Sequence, residues 1–156
     1  MTQNKATYVN PEQHFLSHGL MLLVLLISGC SSFDRAWLEA SKTPPPDNSI
    51  TGRWEGSWLS HVNGHKGKLR AILTEKEAEI YQARFRATYL GILSFGYTMT
   101  LYAKQTEDIS TFSGRADLGA MAGGVYQYDG HASPTEFSCQ YTSKNDHGIF
   151  EMRRPE

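Results

Sequence analysis

Residues 81–89 read YQARFRATY, and this stretch decides the fold class. Its odd-numbered positions are apolar or aromatic, and its even-numbered positions are polar or charged. Successive side chains of a β-strand point to opposite faces, so the alternation predicts a strand with one buried face. Residues 95–102, FGYTMTLY, repeat the pattern, with Phe95, Tyr97, Met99 and Leu101 on the apolar face.

Further segments alternate in the same way and are separated by turn signals. They are residues 52–61, 68–75, 111–118, 124–132, 136–143 and 148–153. About eight short strands without helices between them predict an all-β fold, an antiparallel up-and-down meander closed into a barrel. A β-sandwich built from the same strands is the alternative.

Composition limits the size of the protein and the class of its partners. The chain has 156 residues and a formal net charge of −1. That length suits one domain, and residues 50–156 are enough to bury a core without disulfides. The near-neutral charge argues against nucleic acid as a partner.

The chain has two cysteines, Cys30 and Cys139, in unrelated sequence contexts. Cys139 lies in FSCQY, residues 137–141, in which apolar and polar positions alternate. This pattern predicts that Cys139 points inward with Phe137 and Tyr141. We therefore expect a small buried hydrophobe rather than a reactive thiol or a disulfide partner of Cys30.

Residues 19–27, GLMLLVLLI, form an uncharged apolar run. Extended back to Phe15, the run has about 13 residues, or roughly 20 Å of helix. A bilayer core of about 30 Å needs nearer 20 residues. The run therefore predicts the apolar part of a secretion signal rather than a membrane span.

The run ends in Leu26-Ile27-Ser28-Gly29-Cys30. This ending resembles the lipobox of bacterial lipoproteins, an aliphatic residue and two small residues before a cysteine. The resemblance implies a signal peptide over residues 1–29 and a diacylglycerol on the sulfur of Cys30, which would anchor the protein to a membrane. Ser31 rather than aspartate then implies the outer membrane of the cell envelope, facing the periplasm. A plain cleavable signal is the alternative.

Residues 30–49 are interpreted as a tether between the lipidated cysteine and a barrel domain over residues 50–156. Residues 33–40 have the apolar spacing of two helical turns. Pro44-Pro45-Pro46 favours an extended, semi-rigid polyproline II spacer. We expect Trp37 to rest either on the membrane interface or on the barrel.

The first predicted strand opens Gly52-Arg53-Trp54, and the last ends at Arg153-Arg154. These ends resemble those of lipocalins and other calycins, in which Gly-x-Trp opens the barrel and a late arginine packs across the tryptophan. The resemblance implies that Arg154 closes one end of the barrel on Trp54 through a cation–π contact. The Thr-Asp-Tyr turn of lipocalins is absent from the sequence, so a lipocalin ligand pocket is not implied.

Alternate turns of a meander lie at the same end of a barrel, and one end is expected to collect two unusually apolar turns. Such turns indicate a mouth for an apolar ligand, a partner contact or a membrane contact, unless they fold inward and plug the barrel. The candidate mouth residues are Leu90, Ile92, Leu93, Leu118 and Met121. Inward aromatic residues favour a mostly filled interior, whereas inward glycines and alanines favour a cavity.

Metal-ligating residues also fall at this end, on two loops: His61, His65, Asp146 and His147. Imidazole and carboxylate groups suit divalent metals, but the spacing matches no zinc motif, so these are weak candidates and no cofactor is expected. The sequence has no Gly-x-Ser-x-Gly elbow, phosphate loop or dinucleotide fingerprint. We therefore do not expect an enzyme.

Two functional hypotheses follow. The first is a non-enzymatic, membrane-anchored envelope lipoprotein whose barrel binds a small apolar or amphipathic ligand at the apolar end. The second is a structural or protein-interaction module that displays a filled barrel to another envelope protein. The volume left open inside the barrel discriminates between them.

Overall fold

The structure, a computed structural model, describes residues 32–120 and 123–156. Within them, eight antiparallel strands follow one another and close into a barrel in which each strand pairs with its neighbours in sequence. The strands are β1 (Gly52–Ser60), β2 (Lys66–Glu77), β3 (Ile80–Tyr89), β4 (Leu93–Thr106), β5 (Ile109–Asp117), β6 (Val125–Ala132), β7 (Glu136–Thr142) and β8 (His147–Arg153). The prediction of an up-and-down barrel is confirmed, and the β-sandwich alternative is wrong.

Pairing of the first strand with the last closes the barrel. Strand β1 pairs with β2 on one side and with β8 on the other. The register with β8 runs from Glu55 opposite Arg153 to Ser60 opposite Gly148. Closure pairs backbone groups that an open sheet would expose at its edges.

Alternation places the core as predicted, but it understates the length of some strands. In β3, Phe85 and Ala87 are buried, while Arg86 between them faces outward. Strand β4 continues to Thr106, beyond the predicted end near residue 102, because its ladder with β5 persists there. Ala103 is still buried, but Lys104, Gln105 and Thr106 are exposed and polar, so no apolar alternation marks most of this extension.

A helix over residues 32–40 packs on the outer face of the barrel. Phe33 is buried and stacks on Trp37, with ring centroids 6.0 Å apart. The guanidinium carbons of Arg53 and Arg70 lie 5.3 and 5.0 Å from the centroid of the Trp37 ring. Of the two sites expected for Trp37, the structure therefore has it on the barrel, so this part of the predicted tether is not a free spacer.

In the described part of the chain, no helix has the length and hydropathy needed to cross a bilayer. The predicted signal peptide, residues 1–29, and the predicted lipidation site, Cys30, lie outside the described residues.

Trp54 and Arg154 close the end of the barrel at which β1 begins. Trp54 is fully buried, and its indole N–H donates to the carbonyl of Ile50 at 2.8 Å. The guanidinium carbon of Arg154 lies 3.8 Å from the Trp54 ring centroid, and its N–H groups donate to the carbonyls of Ser49 and Thr51, each at 2.6 Å. Burial lowers the pKa of Arg154 to about 10, so the side chain stays cationic at neutral pH. The structure thus brings together the two residues that the sequence analysis paired.

Replacing Arg154 with methionine should lower the free energy of unfolding by about 2–4 kcal/mol, because carbonyls of Ser49, Thr51 and Pro134 lose a charged donor. Urea denaturation followed by circular dichroism measures the change. The neighbouring exposed residue supplies a matched control, Arg153→Met, which should cost less than about 0.5 kcal/mol. Equal losses in the two variants would contradict this account of the closed end.

Candidate functional site

A cavity of about 260 Å³ occupies the opposite end of the barrel. Its lining is largely aromatic, with one carboxylate: Trp58, Ala87, Phe95, Tyr97, Leu118, Tyr126, Tyr128, Tyr141, Asp146 and Phe150. The lining residue Phe95 is 47% exposed, so the cavity reaches the surface. Its volume lies just below the roughly 300–1,000 Å³ usual for ligand pockets, which limits an occupant to a small molecule or one end of a longer one.

Glycines on the adjoining strands make room for two of the lining side chains. A Cβ built on Gly67 would lie 1.7 Å from the carbonyl oxygen of Thr88 and 2.8 Å from the indole nitrogen of Trp58. A Cβ built on Gly148 would lie 2.6 Å from the hydroxyl of Tyr141. Neither position accepts a side chain without displacing its neighbours, so both glycines are needed for this cavity wall.

Aromatic rings contact one another around the cavity. Tyr128 stacks on Tyr126 and on Tyr97, with centroids 6.2 and 6.3 Å apart. Tyr141 lies 5.1 Å from Phe150, centroid to centroid. The cavity therefore offers ring faces to a flat or aliphatic ligand, and phenolic hydroxyls to a polar group on it.

Asp146 supplies the charge at the site. Its carboxylate accepts hydrogen bonds from the hydroxyl of Ser60 at 2.6 Å and from that of Tyr141 at 3.3 Å. Burial, reinforced by the nearby carboxylate, raises the pKa of Tyr141. The phenol therefore remains a donor at neutral pH. A carboxylate has about four acceptor positions, so Asp146 retains capacity for a donor on a ligand.

Two further hydroxyls are held neutral by their surroundings. Burial raises the pKa of Tyr128, and it raises that of Tyr97 well above its ordinary value. At neutral pH the wall between β4 and β6 is therefore polar but uncharged.

The predicted mouth residues divide into two groups. Leu118 lines the cavity. Leu90 and Ile92 lie on the β3–β4 turn and Leu93 begins β4 at the same end, but all three are exposed and neither line nor plug the cavity. Met121 lies outside the described residues.

The weak metal candidates are only partly brought together. The rings of His61 and His147 lie 5.9 Å apart, whereas His65 packs on Tyr89 at 4.9 Å. Asp146 faces Ser60 and the cavity. Among residues 32–120 and 123–156, no three histidine, cysteine or acidic side chains are grouped to hold a metal ion.

Sequence reasoning did not single out most of the lining residues as a site. Alternation does place Tyr97, Tyr126, Tyr128 and Tyr141 on the inward face. Tyr126 and Tyr128 lie near the start of β6, and Tyr141 lies near the end of β7, and both of these strand ends are at the mouth. An inward tyrosine close to an apolar turn was therefore the available signal.

No family model, curated protein or solved structure matches this chain. The fold and the site therefore define the class of protein. The chain forms a small antiparallel up-and-down β-barrel that is closed by Trp54 and Arg154 at one end and holds an aromatic cavity at the other.

Cys139 lies beside the cavity, opposite Phe150 across the β7–β8 pair. Its thiol is buried, as the alternation of residues 137–141 predicted. Burial raises the pKa of Cys139 from 9.0 to about 12. The folded protein therefore holds this proton over a range in which an unfolded chain releases it.

The free energy of unfolding should accordingly fall as pH rises from about 9 toward 12, because the unfolded state binds fewer protons there. Replacing Cys139 with alanine should reduce this slope by up to about 1.4 kcal/mol per pH unit, since one titrating group is removed. Urea denaturation of both proteins at pH 7, 9, 10 and 11 measures the difference. Parallel curves would show that the thiol titrates alike in the two states.

Proposed function

We propose that the chain is a non-enzymatic lipoprotein of the bacterial cell envelope whose barrel binds a small amphipathic ligand in the aromatic cavity. The observation that carries the proposal is the cavity of about 260 Å³ lined by Tyr97, Tyr126, Tyr128 and Tyr141 together with Asp146. A filled barrel would have favoured the second hypothesis, an interaction module. An unfilled, aromatic volume that reaches solvent favours a binding role.

The lining defines the chemistry of the ligand. Ring faces suit an aromatic or short aliphatic body. Asp146 favours a hydroxyl or an amine on that body and repels a carboxylate, because a second anion near it would be poorly solvated. The proposed ligand is therefore a neutral or cationic amphiphile that carries a hydrogen-bond donor.

The lipid anchor is supported by the sequence Ile27-Ser28-Gly29-Cys30 at the end of an apolar run too short to span a bilayer. Two or three acyl chains on Cys30 would hold the protein durably on a membrane. The proposed location is the periplasmic face of the outer membrane.

The cavity should bind 2-naphthol at least about tenfold more tightly than 2-naphthoate, because the two share a ring system but only the naphthol donates a hydrogen bond to Asp146. Isothermal titration calorimetry on residues 31–156 measures both affinities. Replacing Asp146 with asparagine keeps an acceptor oxygen but removes the charge that repels naphthoate, so the preference for naphthol should shrink. Equal affinities in the unsubstituted protein would contradict the proposed chemistry.

Filling the cavity should abolish binding without unfolding the protein. Ala87 lines the cavity, so Ala87→Met should remove measurable binding of 2-naphthol. The control introduces the same residue on the outer face of the barrel, at exposed Thr98 (Thr98→Met), and should bind as the unsubstituted protein does. Unchanged binding in Ala87→Met would place the ligand elsewhere.

Lipidation should depend on one of the two cysteines. The variant Cys30→Ser should lose incorporation of labelled palmitate and leave the membrane fraction, because the sulfur that carries the diacylglycerol is gone. The variant Cys139→Ser is the matched control and should keep both properties, since this thiol is buried in the barrel. Equal labelling of the two variants would contradict the anchor.

A further inference from the structure

The β3–β4 turn exposes a compact set of apolar side chains beside the mouth of the cavity. Leu90, Ile92, Leu93 and Phe95 are 70%, 81%, 60% and 47% exposed. These residues follow one another closely in the chain, so their side chains form one patch rather than scattered exposures. Leu90, Ile92 and Leu93 are exposed at the rim, whereas Phe95 also lines the cavity.

The backbone of the tip, residues 90–93, is that of a tight hairpin turn, with a large apolar side chain at its first position. Leu90 has φ 52°, in the left-handed region that glycine and asparagine occupy more readily than leucine. The next residue, Gly91, also has positive φ, at 75°. Glu79 and Glu107 have positive φ in the β2–β3 and β4–β5 turns, so this conformation belongs to the hairpin turns of the barrel, and what sets the β3–β4 turn apart is that its side chains are apolar and exposed.

The start of the helix over residues 32–40 packs on β3, the strand that leads to this tip. Arg86 of β3 forms an ion pair with Asp34, and the guanidinium carbon of Arg84 lies 6.0 Å from the Phe33 ring centroid. Cys30 precedes Ser32 by only two peptide links, which span about 7 Å at most. From Arg86 to Leu90 the strand advances four residues, or about 13 Å.

Cationic side chains flank the tip on the neighbouring strand. Lys68 pairs with Thr88 in the β2–β3 register, and Lys66 lies two positions closer to the mouth. Both lysines are exposed. An apolar tip with lysines behind it complements a bilayer, whose anionic headgroups overlie an apolar interior.

We propose that the β3–β4 turn, Leu90 to Leu93, inserts into the bilayer that carries the acyl chains of Cys30, and that the lysines contact anionic headgroups. This inference rests on the proposed lipid anchor and adds an orientation to it. The barrel stands with its open end toward the membrane. An amphipathic ligand then exchanges directly between the lipid and the cavity.

The test places an environment-sensitive bimane label on Ile92→Cys in the lipidated full chain. The protein is reconstituted into vesicles of phosphatidylethanolamine and phosphatidylglycerol, with or without lipids brominated on the acyl chain. The matched control is Asp108→Cys, an exposed position on the β4–β5 turn at the other end of the barrel. The label at position 92 should shift to the blue on addition of vesicles and be quenched by brominated lipid at least about twofold more than at position 108.

The outcomes separate the tip from the anchor. If the protein floats with the vesicles while the label at position 92 stays water-like, the anchor holds and the insertion proposal is wrong. Blue-shifted emission from the unlipidated Cys30→Ser form without vesicles or detergent would show that the tip is covered by another copy of the chain, which also overturns the proposal. A protein that does not float overturns the anchor and the insertion together.

Discussion

Closure of β1 onto β8 is the constraint on which the rest of this structure depends. Their register brings the start of the first strand to the end of the last, and it thereby places Arg154 over Trp54. The guanidinium then ties the carbonyls of Ser49 and Thr51 to the end of the barrel. With that end sealed by an indole and a charged network, the mouth at the other end is the place where an eight-stranded barrel can remain open.

Side-chain volume divides the interior into a solid part and a hollow part. Toward the closed end, the ring of Phe137 packs on Trp54 and on Phe112, with centroids 5.6 and 4.6 Å apart. Toward the mouth, Ala87 leaves volume between rings that line the wall. The hydroxyl of Tyr141 is hydrogen-bonded to Asp146, and among the described residues every deeply buried side-chain nitrogen or oxygen has a partner. The cavity is therefore compatible with a stable core.

The sequence predicted which side chains of the strands face inward better than it predicted how those side chains are arranged inside the barrel. Alternation in residues 81–89 fixes which side chains face inward, because the period of a strand is two and a shift by one residue would expose the whole apolar set. Alternation carries no information on how far along the axis rings such as Tyr126 and Phe150 meet, since that depends on strand stagger and on distant partners. Nor does apolar composition tell inward from outward at a turn, where the period is lost. For this reason Leu118 and Ile92 looked alike in sequence, although one lines the cavity and the other faces solvent.

The helix over residues 32–40 lies between the proposed lipid anchor at Cys30 and the barrel that holds the proposed binding cavity. The outer face of β1–β3 carries four guanidinium groups, on Arg53, Arg70, Arg84 and Arg86. The helix covers them with the rings of Phe33 and Trp37 and with the carboxylate of Asp34. Because these contacts fix the helix to the wall, an anchor two residues before it would lie within about 7 Å of the start of the helix. An anchor that close to the wall would restrict how the cavity can be presented to a membrane more than a long tether would.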